Sequence, residues 1–325
     1  MNAHDATAPR PAPPSQEAGD ASPARPPRPP KREVHGWVIL DKPAGMTSTH
    51  AVARVKRAFA AKKAGHAGTL DPLATGCLPI ALGEATKTVP FVMDGRKLYR
   101  FTVRWGVETD TDDAEGQPVA TSDERPAAEA IRALLPRFTG TIEQVPPRFS
   151  AIKIAGERAY DLAREGQAVE IAPRTITVHR LALTTATTDE AVFEIECGKG
   201  AYVRALARDL GRALGCRGHV VQLRRTEVGP FAEAGLVPLD LIEAEGGPAP
   251  TALLPAEAAL ADLPALAVSR ADAGRLRRGQ PILLRGRDAP QFDGPVAIRA
   301  EGQLIAIADA AAGELVPRRV FNFAR

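Results

Sequence analysis

The sequence predicts an α+β protein, a mixed or antiparallel sheet carrying a few helices and followed by a small β-rich unit. Strand-like segments cluster in runs instead of alternating strictly with helices, which argues against a doubly wound architecture. Two segments have helical periodicity with an apolar face and a separate basic face. The last sixty residues hold short apolar runs divided by glycine turns. A length of 325 residues suggests two domains of unequal size. Such a chain buries roughly 70–75% of its unfolded surface and needs no disulfide or metal for stability. No apolar run reaches eighteen residues, so no membrane span or membrane partner is expected.

Residues 1–33 contain nine prolines and no Val, Ile, Leu, Phe, Trp or Tyr. They read as a disordered Pro-rich tail, because so little apolar surface cannot offset the entropy of ordering. Without an apolar segment, and with acids among its arginines, the tail is expected to be neither a secretory signal nor a transit peptide. Trp37 to Leu40 reads as a short strand, ended by the turn Lys42-Pro43-Ala44-Gly45. Thr47 or Ser48 caps a basic amphipathic helix with Val52, Val55 and Phe59 on its apolar face. From Lys63 to Pro79 periodicity disappears, and a loop of that length inside a domain is expected to be functional. Tyr99, Phe101, Val103 and Trp105 alternate with polar residues, as in a half-buried strand.

An acidic loop, Glu108 to Gly116, follows. Residues 126–138 read as a short helix, and strands are expected around Ile142, Ile152 to Ile154, Ile176 to Val178 and Val192 to Ile195, with a small helix at Tyr160 to Arg164. Val203, Leu206, Ala207, Leu210 and Leu214 give the helix within residues 200–215 its core face, and Arg204, Arg208 and Arg212 fall on another. Residues 246–264 are weakly patterned and mark a boundary or an irregular connector. Pro281 to Leu284, Val296 to Ile298 and Leu304 to Ile307 are the strands of the C-terminal unit.

The formal net charge of +3 conceals an uneven distribution. Residues 42–104 carry a net +8 and residues 199–225 a net +6, whereas 108–129 carry −7 and 233–272 carry −6. Basic stretches interleaved with aromatic residues fit a nucleic-acid surface, although charge runs are equally the mark of solvated faces. Cys77, Cys197 and Cys216 are scattered, without CxxC or ligand spacing. They are expected to be small buried hydrophobes in a reducing, cytoplasmic protein, with no zinc site and no disulfide framework.

The densest constellation is His66-Ala67-Gly68-Thr69-Leu70-Asp71-Pro72-Leu73-Ala74-Thr75-Gly76. Asp71 is the only carboxylate between Asp41 and Glu84, and cations around it would favour its charged form, as a nucleophile or general base requires. On spacing alone it reads first as the opening of a turn or helix, with Asp71 as cap and Pro72 at the first helical position. No paired carboxylate adjoins it, and neither GxxxxGK[ST] nor GxGxxG occurs, so glycosidase chemistry and the common nucleotide loops are not indicated.

These residues resemble a family. KPAGMTS (Lys42 to Ser48), GHAGTLDPLATG (Gly65 to Gly76), KLYRF (Lys97 to Phe101), PPRFSAIKIAGERAYDLAREG (Pro146 to Gly166), GAYVRALARDLG (Gly200 to Gly211) and HVVQLRR (His219 to Arg225) are similar, in order, to the successive signatures of the bacterial TruB family of tRNA pseudouridine-55 synthases. The resemblance runs from about residue 36 to 245, and beyond Pro264 the chain is more loosely similar to a PUA-like domain. The Pro-rich extension has no counterpart in that pattern.

The resemblance implies a pseudouridine synthase fold with a central cleft over residues 34–250 and a PUA-like RNA-binding domain over 251–325. It implies isomerisation of uridine 55 in the T loop of tRNA, with the tRNA T-stem-loop as partner, no cofactor, no metal and no required protein partner, in a monomer. Asp71 would be the catalytic aspartate, attacking the uracil ring or ribose C1′ or abstracting a sugar proton. Tyr99 would stack on the base and is a candidate for proton transfer at C5, and Arg204 would pair with Asp71. Tyr202 and Leu223 would line the base pocket, and His66 would contact RNA and hold the uridine out of the loop.

By pattern alone Tyr99 and Tyr202 are packing residues, Arg204 a solvated cation and His66 a loop hydrogen-bonder. Phe149 departs from the family's usual Tyr and removes a hydroxyl while keeping an aromatic ring. Two further functions compete: a synthase acting on another RNA, as guide-dependent relatives do, and a non-catalytic RNA-binding protein or tRNA chaperone.

Overall fold

A computed structural model describes residues 30–150, 153–154, 157–158, 171–244, 246–284 and 293–323. The chain enters through residues 31–33, which the sequence assigns to the tail. Arg32 instead donates its N–H to the Ala60 carbonyl at 2.7 Å and accepts from Lys62 N at 3.2 Å. Strand β1 (Gly36–Lys42) follows, with Trp37 and Ile39 packed into one core cluster and Val38 and Leu40 into another. A strand covered on both faces reads as a continuous apolar run, which is why it lacks alternation.

Helix α1 (Ser48–Ala58) is capped by Thr47, whose hydroxyl accepts from His50 N at 3.1 Å, and it buries Ser48, Ala51 and Val55. The long loop expected over residues 63–79 is shorter in the fold. Its ends are strands, β2 (Ala64–His66) and β3 (Thr75–Leu82), paired antiparallel with His66 opposite Ile80. Leu78, Ile80 and Leu82 enter one core cluster and Cys77 and Ala81 the other, so β3 too lacks alternation. Between the two strands only residues 67–74 are irregular.

Helix α2 (Val89–Asp94) leads to β4 (Lys97–Trp105), where alternation holds: Phe101, Val103 and Trp105 are buried, Arg100 and Arg104 exposed. The acidic segment is not a plain loop either. Strands β5 (Val107–Thr109) and β6 (Pro118–Thr121) pair across it. Its carboxylates organise the turn, Asp110 accepting from Gln117 N at 2.8 Å and Asp113 from Glu115 N at 3.0 Å.

Helix α3 (Ala128–Leu134), β7 (Gly140–Gln144), the two-residue strands β8 (Lys153–Ile154) and β9 (Glu157–Arg158), β10 (Arg174–Ala186) and β11 (Glu190–Cys197) follow. Ile152 and the small helix expected at Tyr160 to Arg164 lie outside the described residues. Helix α4 (Val203–Ala213) buries Val203, Leu206, Ala207 and Leu210, the face its periodicity predicts. Strand β12 (Gly218–Val228), β13 (Phe231–Ala232), β14 (Val237–Pro238) and α5 (Leu239–Ile242) complete the first sheet and its flank.

The sheet order is β14-β1-β3-β12-β4-β11-β10-β7, with β2 on β3 and β13 on β12. It is mixed, since β1–β14 and β3–β12 run parallel and the other pairs antiparallel. Residues 250–260 form two short 3-10 turns that pack Ala252, Ala256 and Leu260 inward.

The C-terminal unit holds β15 (Ala265–Ala267), α6 (Arg270–Arg277), β16 (Ile282–Leu283), β17 (Gly294–Ala300), β18 (Gln303–Ala311) and β19 (Glu314–Val320). Its strands form one five-stranded sheet, β15-β17-β18-β19-β16, the small β-rich unit that the glycine-separated runs predict.

Candidate active site

Where the irregular segment 67–74 meets the N-terminal end of α4 and the strands β4 and β12, a cavity of about 320 Å³ opens. Asp71, Lys97, Tyr99, Tyr202, Leu223 and Arg225 are among its walls. The sheet explains the meeting: Arg224 and Arg225 of β12 pair with Thr75 and Gly76 of β3, and Arg225 lies opposite Tyr99 of β4. Gly76 at φ +96 is required by this register, since a Cβ there would stand 2.2 Å from the Arg225 carbonyl oxygen.

Asp71 caps no helix, because residues 72–73 only bend and β3 follows. Its carboxylate instead accepts from Arg204, Nε to Oδ2 at 2.8 Å. Arg204 is 4% exposed, so its charge needs partners within the protein. Besides Asp71 it has the Thr111 carbonyl at 2.9 Å, the Phe149 carbonyl at 3.0 Å and the Asp113 carboxylate at 3.4 Å. A guanidinium's fixed fork of donors suits this arrangement and orients the carboxylate it holds.

The segment bearing Asp71 is pinned on three further sides. Ser48 Oγ donates to the Leu70 carbonyl at 3.0 Å and accepts from Leu70 N at 2.8 Å. The fully buried Lys42 ammonium donates to the carbonyls of Pro43, Met46 and Pro72 at 2.8, 2.7 and 3.2 Å. Arg225 spans the Cys77, Thr69 and Gly68 carbonyls at 2.8, 3.3 and 3.1 Å. Opposite, Gln144 fixes both backbone groups of Tyr202, accepting from its N–H at 2.9 Å and donating to its carbonyl at 3.1 Å. The cavity wall is therefore held by polar contacts as well as packing.

Burial sets the ionisation around the cavity. Desolvation pushes the Lys42 ammonium down to about 8, with Asp71 opposing the shift. It raises the phenols of Tyr99 and Tyr202, the latter further raised by the Asp71 charge, so both rings are neutral at pH 7. It lowers His66, aided by the Arg225 charge, which keeps that imidazole neutral. The cysteine thiols are buried and free, Cys77 and Cys197 pushed up to about 12 and Cys216 to about 11 chiefly by desolvation. Among the described residues no cluster of metal-ligating side chains occurs.

Asp71, Tyr99, Tyr202 and Leu223 thus share one cavity, with Arg204 behind Asp71. His66 is not on its wall. It sits on β2, with Nδ1 buried and without a hydrogen-bond partner among the described residues. Phe149 meets the site through its backbone carbonyl, so the hydroxyl missing from its side chain plays no part in that contact.

The charge map needs a larger correction. Arg204, Arg208 and Arg212, part of the +6 stretch, do not form a basic surface. They face the acidic segment 108–113: Arg208 pairs with Asp112 at 2.9 Å, Arg212 with Glu108 at 2.5 Å, and Arg204 with Asp113. Segments of opposite sign that are separate in sequence neutralise one another beside the site. Lys42, Ser48 and Arg225 lie inside the family blocks quoted above but carry no pattern that announces burial. For Asp113, Thr111 and Gln144 the sequence holds no signal, because their partners are some sixty to ninety residues away.

Comparison with known proteins identifies the family. The family model for the TruB family pseudouridylate synthase N-terminal domain matches residues 56–203, and that for the tRNA pseudouridylate synthase B C-terminal domain matches 204–261. The class so defined is the pseudouridylate synthases.

The tRNA pseudouridine synthase B of Rhodopseudomonas palustris is 65% identical over 301 residues, 90% of this chain and 82% of that protein. That of Bradyrhizobium diazoefficiens is 66% identical over 90% of this chain and 87% of its own length. Among solved structures, a Cbf5-Nop10-Gar1 complex contains a chain with TM-score 0.68 and 26% identity, covering 88% of this chain and 84% of that one. The chain belongs to the TruB family of pseudouridine synthases.

Proposed function

We propose that this enzyme isomerises uridine 55 in the T loop of tRNA to pseudouridine, with Asp71 as the reacting carboxylate. The observation that carries the reading is the Asp71–Arg204 pair at the wall of a cavity formed by Tyr99, Tyr202 and Leu223. The reaction breaks the N1–C1′ bond and forms C5–C1′, with the C5 proton lost and N1 gaining one. Atoms and electrons balance without an oxidant, a reductant or a nucleotide. What it demands is an unstacked base on an apolar and aromatic platform beside an oriented carboxylate.

Arg204 holds that carboxylate in place at the cavity wall through its Nε–Oδ2 hydrogen bond. Tyr99, neutral through burial, suits a stacking platform more directly than a phenolate base. Tyr202 and Leu223 complete the pocket. His66, neutral and outside the cavity, suits contact with the RNA around the extruded nucleotide.

Relatives at 65% identity that bear the name tRNA pseudouridine synthase B support tRNA as the substrate over a guided RNA. The chain in the Cbf5-Nop10-Gar1 complex is far more distant at 26%. In this reading residues 34–250 are the catalytic domain and 251–325 a PUA-like RNA-binding domain. The protein acts as a cytoplasmic monomer without a protein partner or cofactor, a setting that suits three free buried thiols.

Purified protein incubated with an unmodified tRNA transcript should convert one uridine, at position 55. Conversion elsewhere would keep the chemistry and overturn the substrate. Asp71→Asn should bind the transcript and leave it unmodified.

A further inference from the structure

Arg208 and Asp112 touch neither the cavity nor Asp71, yet both are buried, at 7% and 5% exposure. Arg208 Nη1 meets Asp112 Oδ2 at 2.9 Å, Nη2 donates to the Val145 carbonyl at 2.8 Å, and Nε donates to Asp209 Oδ1 at 2.8 Å. Asp112 has φ +62, in the left-handed region that Asp tolerates better than most residues. Its N–H bonds to the Thr109 carbonyl at 3.2 Å and its carbonyl accepts from Val220 N at 3.1 Å. Its two neighbours are what Arg204 grips, the Thr111 carbonyl and the Asp113 carboxylate.

The Thr111 oxygen belongs to the peptide unit that joins Thr111 to Asp112, so any rotation at Asp112 swings it. The duplication extends to the other side, where Val145 bonds Arg208 and Phe149 bonds Arg204. Two arginines one helical turn apart hold the same two segments, and only one of them touches Asp71. Stability alone does not account for the second, since a buried ion pair is often no better than an apolar replacement.

We infer that Arg208 and Asp112 are positioning residues for the reaction: their buried pair fixes the turn at Thr111 to Asp113 and thereby the orientation in which Arg204 presents Asp71. This rests on the reading of Asp71 as the reacting carboxylate.

The test is single-turnover conversion of an unmodified tRNA transcript by the full-length protein in excess, with transcript affinity and the melting midpoint measured for each variant. Asp112→Asn keeps the shape and the tolerance for positive φ while removing the charge. It should slow conversion at saturation by about tenfold or more and leave affinity within about twofold. Arg208→Lys should lose less, in the same direction, and the double variant should be no slower than the slower single, because the pair acts as a unit. Glu108→Gln, which breaks the neighbouring pair with Arg212, should lower only the melting midpoint.

Full-rate Asp112→Asn and Arg208→Lys would overturn the inference, as would a loss confined to affinity or an equal slowing by Glu108→Gln. If Asp112→Asn does not fold, Arg208→Lys decides by the same criteria. Asp71→Asn run in parallel separates the two claims: activity there overturns the site itself, whereas an inert Asp71→Asn beside a full-rate Asp112→Asn overturns only the positioning role.

Discussion

Two rows of arginines share one spacing and have opposite fates. On α4, Arg204, Arg208 and Arg212 recur every fourth residue and meet Asp113, Asp112 and Glu108. At the start and along the outer face of β4, Arg96, Arg100 and Arg104 also recur every fourth residue and meet Glu196, Glu194 and Glu190 of β11. The side chains of the helical row are 5%, 9% and 50% exposed, those of the strand row 66%, 51% and 55%. Every pair is a cation on an anion, so pairing does not distinguish the rows. Burial does for Arg204 and Arg208, because desolvated charges must be answered completely and in fixed geometry, while solvated ones exchange partners with water.

The largest effect should therefore come from Arg204→Met. It strands Asp113 in the interior and frees Asp71, and breaking a buried pair of this kind costs about 3–5 kcal/mol. Catalysis should fall by about 100-fold or more, well beyond any loss of tRNA affinity, when single-turnover rate and binding are measured on the same preparation. A loss confined to affinity would show that the helical row behaves like the strand row.

Arg225→Met sharpens the contrast, because Arg225 is as buried as Arg204 but its guanidinium donates to the backbone carbonyls of Cys77, Thr69 and Gly68 and not to Asp71. It should cost about 2–3 kcal/mol by denaturant unfolding, from three carbonyls left without their donor. Its rate loss should be smaller than that of Arg204→Met, since Asp71 keeps its partner. Equal rate losses would mean that the backbone of segment 67–74, more than the Asp71–Arg204 pair, sets the reactive geometry.

The two rows also show what a sequence makes legible. Val203, Leu206, Ala207 and Leu210 announce the core face of α4 because apolar side chains recur with the helical period whatever they pack against. The arginines recur just as regularly, but a solvated stripe and a buried one have the same period. Their partners at Asp112 and Asp113 lie nearly a hundred residues earlier, where the sequence suggests only an acidic loop. Likewise β4 alternates and is readable, whereas β3 is covered on both faces and hides inside what reads as a long loop.

Asp71 stands out as a lone acid among glycines, yet its spacing also fits a helix cap, and the six ordered blocks are what favour the reactive reading. Lys42 and Arg225 show no sign of burial, because a cation that donates to backbone carbonyls leaves no complementary acid in the sequence.

Arg100→Ala tests the strand row directly. Its contact with Glu194 is a single 3.2 Å hydrogen bond on an exposed face, and Arg180 also lies 3.6 Å from that glutamate. The expected cost is less than about 1 kcal/mol, with single-turnover rate unchanged. A cost near that of Arg225→Met would mean that the outer ladder acts as a cooperative network.

An effect of similar size belongs to the outermost pair of the helical row, where the two environments meet. Glu108 is 5% exposed but Arg212 is half in solvent. The hydrogen bond from Arg212 holds the Glu108 carboxyl below its ordinary value of 4.5, against the opposing effect of burial. A carboxyl depressed in the folded state adds stability that is fully present above its unfolded value and is lost as pH falls through the folded one. The stability difference between the parent chain and Glu108→Gln should accordingly be largest near neutral pH, at no more than about 1 kcal/mol given the exposed partner, and shrink below pH 4.5. Added salt should shrink it as well, because the Arg212 end of the pair is screened. A difference that grew on acidification, or ignored salt, would place Glu108 with the fully buried pairs and move the boundary between the two behaviours to the end of α4.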